Sequence, residues 1–115
     1  MRSAIIALLG ALGALGAACQ NSDVSREIGA RCDVAADCDE RCLAPGADYP
    51  GGFCTIACDT RADCPGGSTC ADREGGVCLF TCNGDRDCTF LGTGWRCDTA
   101  DLRGAGIKVN VCRGN

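Results

Sequence analysis

Thirteen of the 115 residues are cysteine, none is histidine, and the net charge is −4. Cysteine at this density in so short a chain marks a disulfide scaffold. The lack of histidine removes Ser-His and Cys-His nucleophilic catalysis and the Cys2His2 and Cys3His zinc sites. Basic residues stand singly and nearly all are arginine, so no basic patch is offered to a nucleic acid, which is excluded as a partner.

From Gln20 onward, Leu, Ile, Val and Phe account for 15 of 96 residues. A chain below about 20 % is expected to remain disordered unless something besides apolar burial holds it. Cross-links must supply the difference.

Residues 1–18 read as a secretory signal peptide. Arg2 is its only charge, residues 3–18 are apolar, and small residues close it at Gly16, Ala17 and Ala18. The stretch is shorter than the roughly 20 apolar residues of a spanning helix. Cys19 follows directly. The run Leu15-Gly16-Ala17-Ala18-Cys19 resembles a bacterial lipoprotein lipobox, with Leu15 one place further from the cysteine than usual and Gly16 in the customary leucine position. The resemblance implies lipidation of Cys19 and a membrane anchor, each buried methylene contributing about 0.8 kcal/mol. Gln20 after the cysteine is similar to an outer-membrane or cell-surface address. Cys19 is also the odd cysteine, and an unpaired thiol in an exported protein needs a use. The other route is cleavage by an ordinary signal peptidase, leaving Cys19 free or dimerising on a periplasmic or secreted protein. Residues 19–31 are expected to form a polar tether, with one helical turn around residues 25–28.

The other twelve cysteines fall into three sets of four within residues 32–115. They are Cys32, Cys38, Cys42 and Cys54; Cys58, Cys64, Cys70 and Cys78; and Cys82, Cys88, Cys97 and Cys112. Each set opens with Cys-x5-Cys, and each spacer ends in aspartate: Asp37, Asp63 and Asp87. The openings recur at steps of 26 and 24 residues, defining units 32–57, 58–81 and 82–115. A short Asp-rich spacer suits a turn or a single helical turn capped by Asp or Asn. The second half of each unit reads as a β-hairpin. In the second unit, residues 68–71 and 76–80 flank a turn at 72–75. In the third, 94–98 pair with 107–112, where Ile107, Val109 and Val111 alternate with polar residues as in a half-buried strand. The loops 44–52, 89–96 and 99–106 vary around this frame.

Four cysteines permit three pairings, and spacing alone leaves all three open. The run from Cys58 through Cys64, Pro65, Gly66 and Gly67 to Cys70 resembles the central segment of whey-acidic-protein (four-disulfide-core) domains and the N-terminal cysteine-rich region of Dickkopf proteins. Those families carry a Cys-Cys pair where this chain has Cys70 alone. The resemblance covers about a third of each repeat, and it implies first-to-third and second-to-fourth pairing. That gives Cys32–Cys42, Cys38–Cys54, Cys58–Cys70, Cys64–Cys78, Cys82–Cys97 and Cys88–Cys112. A disulfide closing a loop of about 15 residues contributes roughly 3 kcal/mol in the chain-entropy model. The whole layout resembles the cysteine-rich repeat lipoproteins of myxobacteria and their relatives, a resemblance that implies no activity.

The fold class expected is small and disulfide-rich: three tandem four-cysteine units, each a short turn plus a β-hairpin, with little hydrophobic core. The function expected is that of an exported, lipid-anchored envelope or surface protein, a structural or binding module and not an enzyme. A protease inhibitor of four-disulfide-core type, acting through loop 44–52, is the second reading, and metal-thiolate storage the third. No cofactor is expected. The partners expected are a membrane, through the lipid on Cys19, and a protein or carbohydrate ligand of a monomer. Asp37/Asp39 and Asp85/Asp87 invite a calcium reading, but hard cations take six to eight oxygens from a defined loop, which these spacings lack. The largest apolar groups, Phe53, Phe80, Phe90 and Trp95, are expected to cover the cystines, with Phe90-Leu91 the best placed to form an exposed recognition patch.

Overall fold

The computed structural model describes residues 24–114. The signal peptide expected at 1–18, Cys19, residues 20–23 and Asn115 lie outside them. The protein is a small disulfide-rich fold of three antiparallel hairpins: β1 (Arg41–Leu43) with β2 (Phe53–Thr55), β3 (Ser68–Ala71) with β4 (Val77–Phe80), and β5 (Arg96–Asp101) with β6 (Lys108–Arg113). A short 3-10 helix precedes each, at Ala35–Asp37, Arg61–Asp63 and Asp85–Leu91. The third hairpin is longer than the sequence suggests. Its first strand runs to Asp101 because Thr99, Ala100 and Asp101 pair with Asn110, Val109 and Lys108. Ile107 lies before β6 and is exposed.

One construction repeats in all three units. The third and fourth cysteines face each other across the hairpin, as Cys42 with Cys54, Cys70 with Cys78 and Cys97 with Cys112. Residues opposite one another in an antiparallel ladder project to the same face. The Cys-x5-Cys turn lies across that face. Its first cysteine bonds the third and its second bonds the fourth: Cys32–Cys42, Cys38–Cys54, Cys58–Cys70, Cys64–Cys78, Cys82–Cys97 and Cys88–Cys112, with Cα–Cα separations of 5.3–6.0 Å. These separations sit within the range an unforced cystine needs.

The units are joined by their own strands. Past β2 the chain continues alongside β4: Ala57 bridges Val77, Cys58 N–H donates to Gly76 O, and Cys78 N–H donates to Ile56 O. Past β4 it continues alongside β6, where Thr81 bridges Val111 and Cys82 N–H donates to Asn110 O. The chain just past the second strand of the first and second units thus runs along the edge of the next unit's hairpin. In the first unit, residues 29–30 take this place: Gly29 N–H donates to Cys54 O and Cys54 N–H to Ala30 O, both at 2.8 Å. Residues 24–31 therefore dock on the first unit instead of tethering it, and Ile28 is buried. The helical turn expected at 25–28 is a tight turn. The Ser25 hydroxyl accepts from the amides of Glu27 and Ile28, and Ser25 N–H donates to Ile28 O. Serine bonding the local backbone in this way competes with helix.

Last, the third unit closes on the first. Gly114 N–H donates to Asp48 O at 2.6 Å, and Trp95 Nε1 donates to Pro50 O at 2.9 Å. The three units then share one core. All five aromatic residues of the protein form a single connected array: Tyr49 to Trp95, Trp95 to Phe53, Phe53 to Phe80 and Phe80 to Phe90, with ring centroids 5.3–6.4 Å apart. Phe53 is wholly buried at its centre, with Val77, Leu79 and Val111 packed in the same cluster. The buried Thr55 hydroxyl, which would be costly unpaired, donates to Cys78 O across the first junction.

Candidate functional site

The aspartate closing each Cys-x5-Cys spacer is structural. Asp37 accepts from the amides of Asp33 and Val34, Asp63 from those of Asp59 and Thr60, and Asp87 from those of Asn83 and Gly84, at 2.8–3.3 Å. Each carboxylate satisfies two amides that the following short helix leaves without partners. The hydrogen bonds from Asp33 and then Val34 hold the Asp37 carboxyl below its usual range, and those from Asp59 and then Thr60 do the same for Asp63. The neighbouring acids are also engaged. Asp85 accepts from Cys97 N–H, and Asp39 pairs with Arg26 at 3.4 Å.

The cysteines of the described residues carry no free thiol, because all twelve are paired. Three sulfurs of each unit lie within 4.8 Å of one another, Cys32, Cys38 and Cys42 being the first such group. Their pairing places them there, and a cystine sulfur is not the thiolate that binds soft metals.

The three variable loops differ in what they present. Loop 89–96 begins in the third 3-10 helix. Its Leu91 and Trp95 are buried, while Phe90 is 46 % exposed. Phe90 stands edge-on to Phe80 and, with Gly66, Gly67, Thr81 and Asp87, walls a cleft of about 250 Å³. Loop 99–106 contributes strand as far as Asp101, and its next residues lie on the second unit. Loop 44–52 is bent throughout, with Gly46 N–H donating to Tyr49 O. Tyr49 is buried against Trp95, and its hydroxyl accepts from Arg73 Nε. Residues 44–48 are exposed, but they do not run as the extended strand a protease would read.

A larger cleft, about 420 Å³, lies between this loop and the outer edge of β1. Its volume is within the roughly 300–1,000 Å³ of ligand clefts. Arg41, Cys42, Leu43, Asp48, Tyr49 and Glu74 are among its lining residues. Arg41 Nη1 donates to Glu74 O at 2.7 Å, which ties the first unit to the turn of the second. The composition of the loops points to neither cleft, since both arise where units meet. No helix among the described residues is long and apolar enough to cross a membrane. No family model, curated protein or solved structure matches the chain.

Proposed function

We propose that this protein is an exported envelope or surface module, anchored through lipid on Cys19, that binds a protein or carbohydrate ligand on the surface around its cystine frame. One observation carries the reading. The six disulfides consume every cysteine from Cys32 to Cys112, and no histidine is present to act beside a nucleophile. Cystines in this number persist in oxidising compartments. The chemistry left is that of a cross-linked surface bearing clefts. Cys19 remains as the thirteenth cysteine, directly after the small residues that end the apolar leader.

Intact mass spectrometry with and without reduction tests this. The expected result is a mature chain beginning at Cys19, carrying diacylglyceryl and acyl groups, with twelve thiols that react with alkylating reagent only after reduction. Twelve reactive thiols before reduction would sink the exported reading. An unmodified Cys19 in membrane-free fractions would sink the anchor.

A further inference from the structure

The repeat allows the outer edge of one hairpin to be compared with the same edge in the next. In the second unit, the outer edge of β3 is covered by the chain itself. Ala71 bridges Leu102, Asp72 N–H donates to Asp101 O at 2.7 Å, and Arg103 N–H donates to Cys70 O at 2.9 Å. The Arg103 guanidinium then reaches Asp72 at 2.8 Å and Asp59 at 3.9 Å. The occupant is a short antiparallel segment, Asp101-Leu102-Arg103.

Among the described residues, nothing covers the equivalent edge of the first unit. Counting from the third cysteine, Cys42, Leu43 and Ala44 stand where the second unit has Cys70, Ala71 and Asp72. Cys54 spends its N–H and C=O on Ala30 and Gly29, away from β1. Cys42 and Cys54 are therefore a non-hydrogen-bonded pair, and the N–H and C=O of Cys42 point outward. Neither Cys42 O nor Ala44 N–H meets a backbone partner among the described residues. Both line the 420 Å³ cleft. The cause is loop length. The loop of the third unit, at 102–107, is long enough to lie along β3, whereas the turn of the second, at 72–75, reaches β1 only through the Glu74 carbonyl and the Arg41 side chain. The Asp48 carboxylate at this cleft pairs with Arg73 at 3.7 Å and the Arg41 guanidinium is held by the Glu74 carbonyl, whereas the Glu74 carboxylate has no ion pair among the described residues.

The geometry points to the outer edge of β1 as a strand-addition site for a partner's extended peptide bearing an apolar residue followed by arginine. The peptide adds antiparallel to Cys42 and Ala44, as 101–103 adds to Cys70 and Asp72. Its arginine N–H donates to Cys42 O, its backbone carbonyl accepts from Ala44 N–H, and its guanidinium faces Glu74. Main-chain bonds to a free edge give affinity, and side-chain pockets give specificity. This names the ligand class of the binding module proposed above and rests on that reading. The mass measurement and the following titration fail independently.

The test is a titration of the isotope-labelled, oxidised full-length protein with the capped peptide Asp-Leu-Arg-Gly-Ala, followed by amide NMR. Saturable shifts centred on Cys42, Leu43 and Ala44 are expected. Methylating the arginine N–H of the peptide removes the donor to Cys42 O, and binding should weaken by about tenfold. Ala44→Pro, with its spectrum showing the fold retained, should weaken binding of the unmodified peptide similarly. No saturable shift, shifts centred elsewhere, or equal binding of the methylated peptide would overturn the proposal. So would concentration-dependent shifts of the same amides without peptide, which would assign the edge to a second copy of the chain.

Discussion

Phe53→Ala separates a shared core from three independent beads. Phe53 is 0 % exposed, and its ring lies 5.3 Å from that of Trp95 in the third unit and 5.9 Å from that of Phe80 in the second. Removing a buried phenylalanine costs about 3–5 kcal/mol, combining lost transfer energy with the cavity left behind. Collapse around the cavity is restricted here, because Cys54 is held by its disulfide to Cys38. Whole domains of this size are stable by only about 5–15 kcal/mol. The variant should thus lose a large share of its stability with every disulfide intact. Guanidinium unfolding of the oxidised protein, followed by Trp95 fluorescence and far-ultraviolet circular dichroism, reads this directly. Phe90→Ala serves as the control, since Phe90 is half exposed, touches Phe80 alone among the aromatics, and should cost about 1 kcal/mol. A Phe53→Ala loss below about 1 kcal/mol, or two probes reporting separate transitions, would refute the shared core.

Gly76 has φ +104°, and a Cβ there would strike Cys58 O at the junction of the first two units. Gly76→Ala should lower the unfolding midpoint by more than the roughly 1 kcal/mol of an ordinary glycine substitution, and an unchanged midpoint would show that the junction yields. Trp95→Phe keeps the ring packing but leaves Pro50 O without its donor. A loss of about 1 kcal/mol in the same denaturation assay is expected. The capping carboxylates of Asp37 and Asp63 titrate below 3.8, their ordinary value. Since the folded pKa is depressed, their stabilisation is present above the unfolded pKa and is lost as pH falls through the folded one. Amide shifts of Asp33, Val34, Asp59 and Thr60 should follow midpoints below 3.8, and midpoints at or above that value would contradict the caps.

The periodic part of this architecture is legible in the chain. Cys-x5-Cys with its closing aspartate marks each 3-10 turn, and the Asp-Arg-Glu-Gly turn places β3 and β4 within one residue. What depends on contacts between units is not legible. Phe53, Phe80 and Trp95 belong to three different units, and no spacing reveals that their rings meet. Thr99, Ala100 and Asp101 carry no strand signal of their own, and become strand only because 108–110 lie opposite. Residues 24–31 look like solvated linker, and their backbone is ordered by the free edge of β2. The clefts follow from the same cause, being spaces between neighbouring units and not properties of any loop.

Every cystine joins residues of a single unit, across 10–24 positions of sequence. A chain emerging N-terminus first can therefore complete the cross-links of one unit before the next has appeared. Each unit then sorts among three pairings in turn, and the twelve thiols never have to sort all at once. The Gly114 to Asp48 contact and the Trp95 ring come last. The contacts that close the third unit on the first, Gly114 to Asp48 and Trp95 to Pro50, need residues of both units and form only once the third is made.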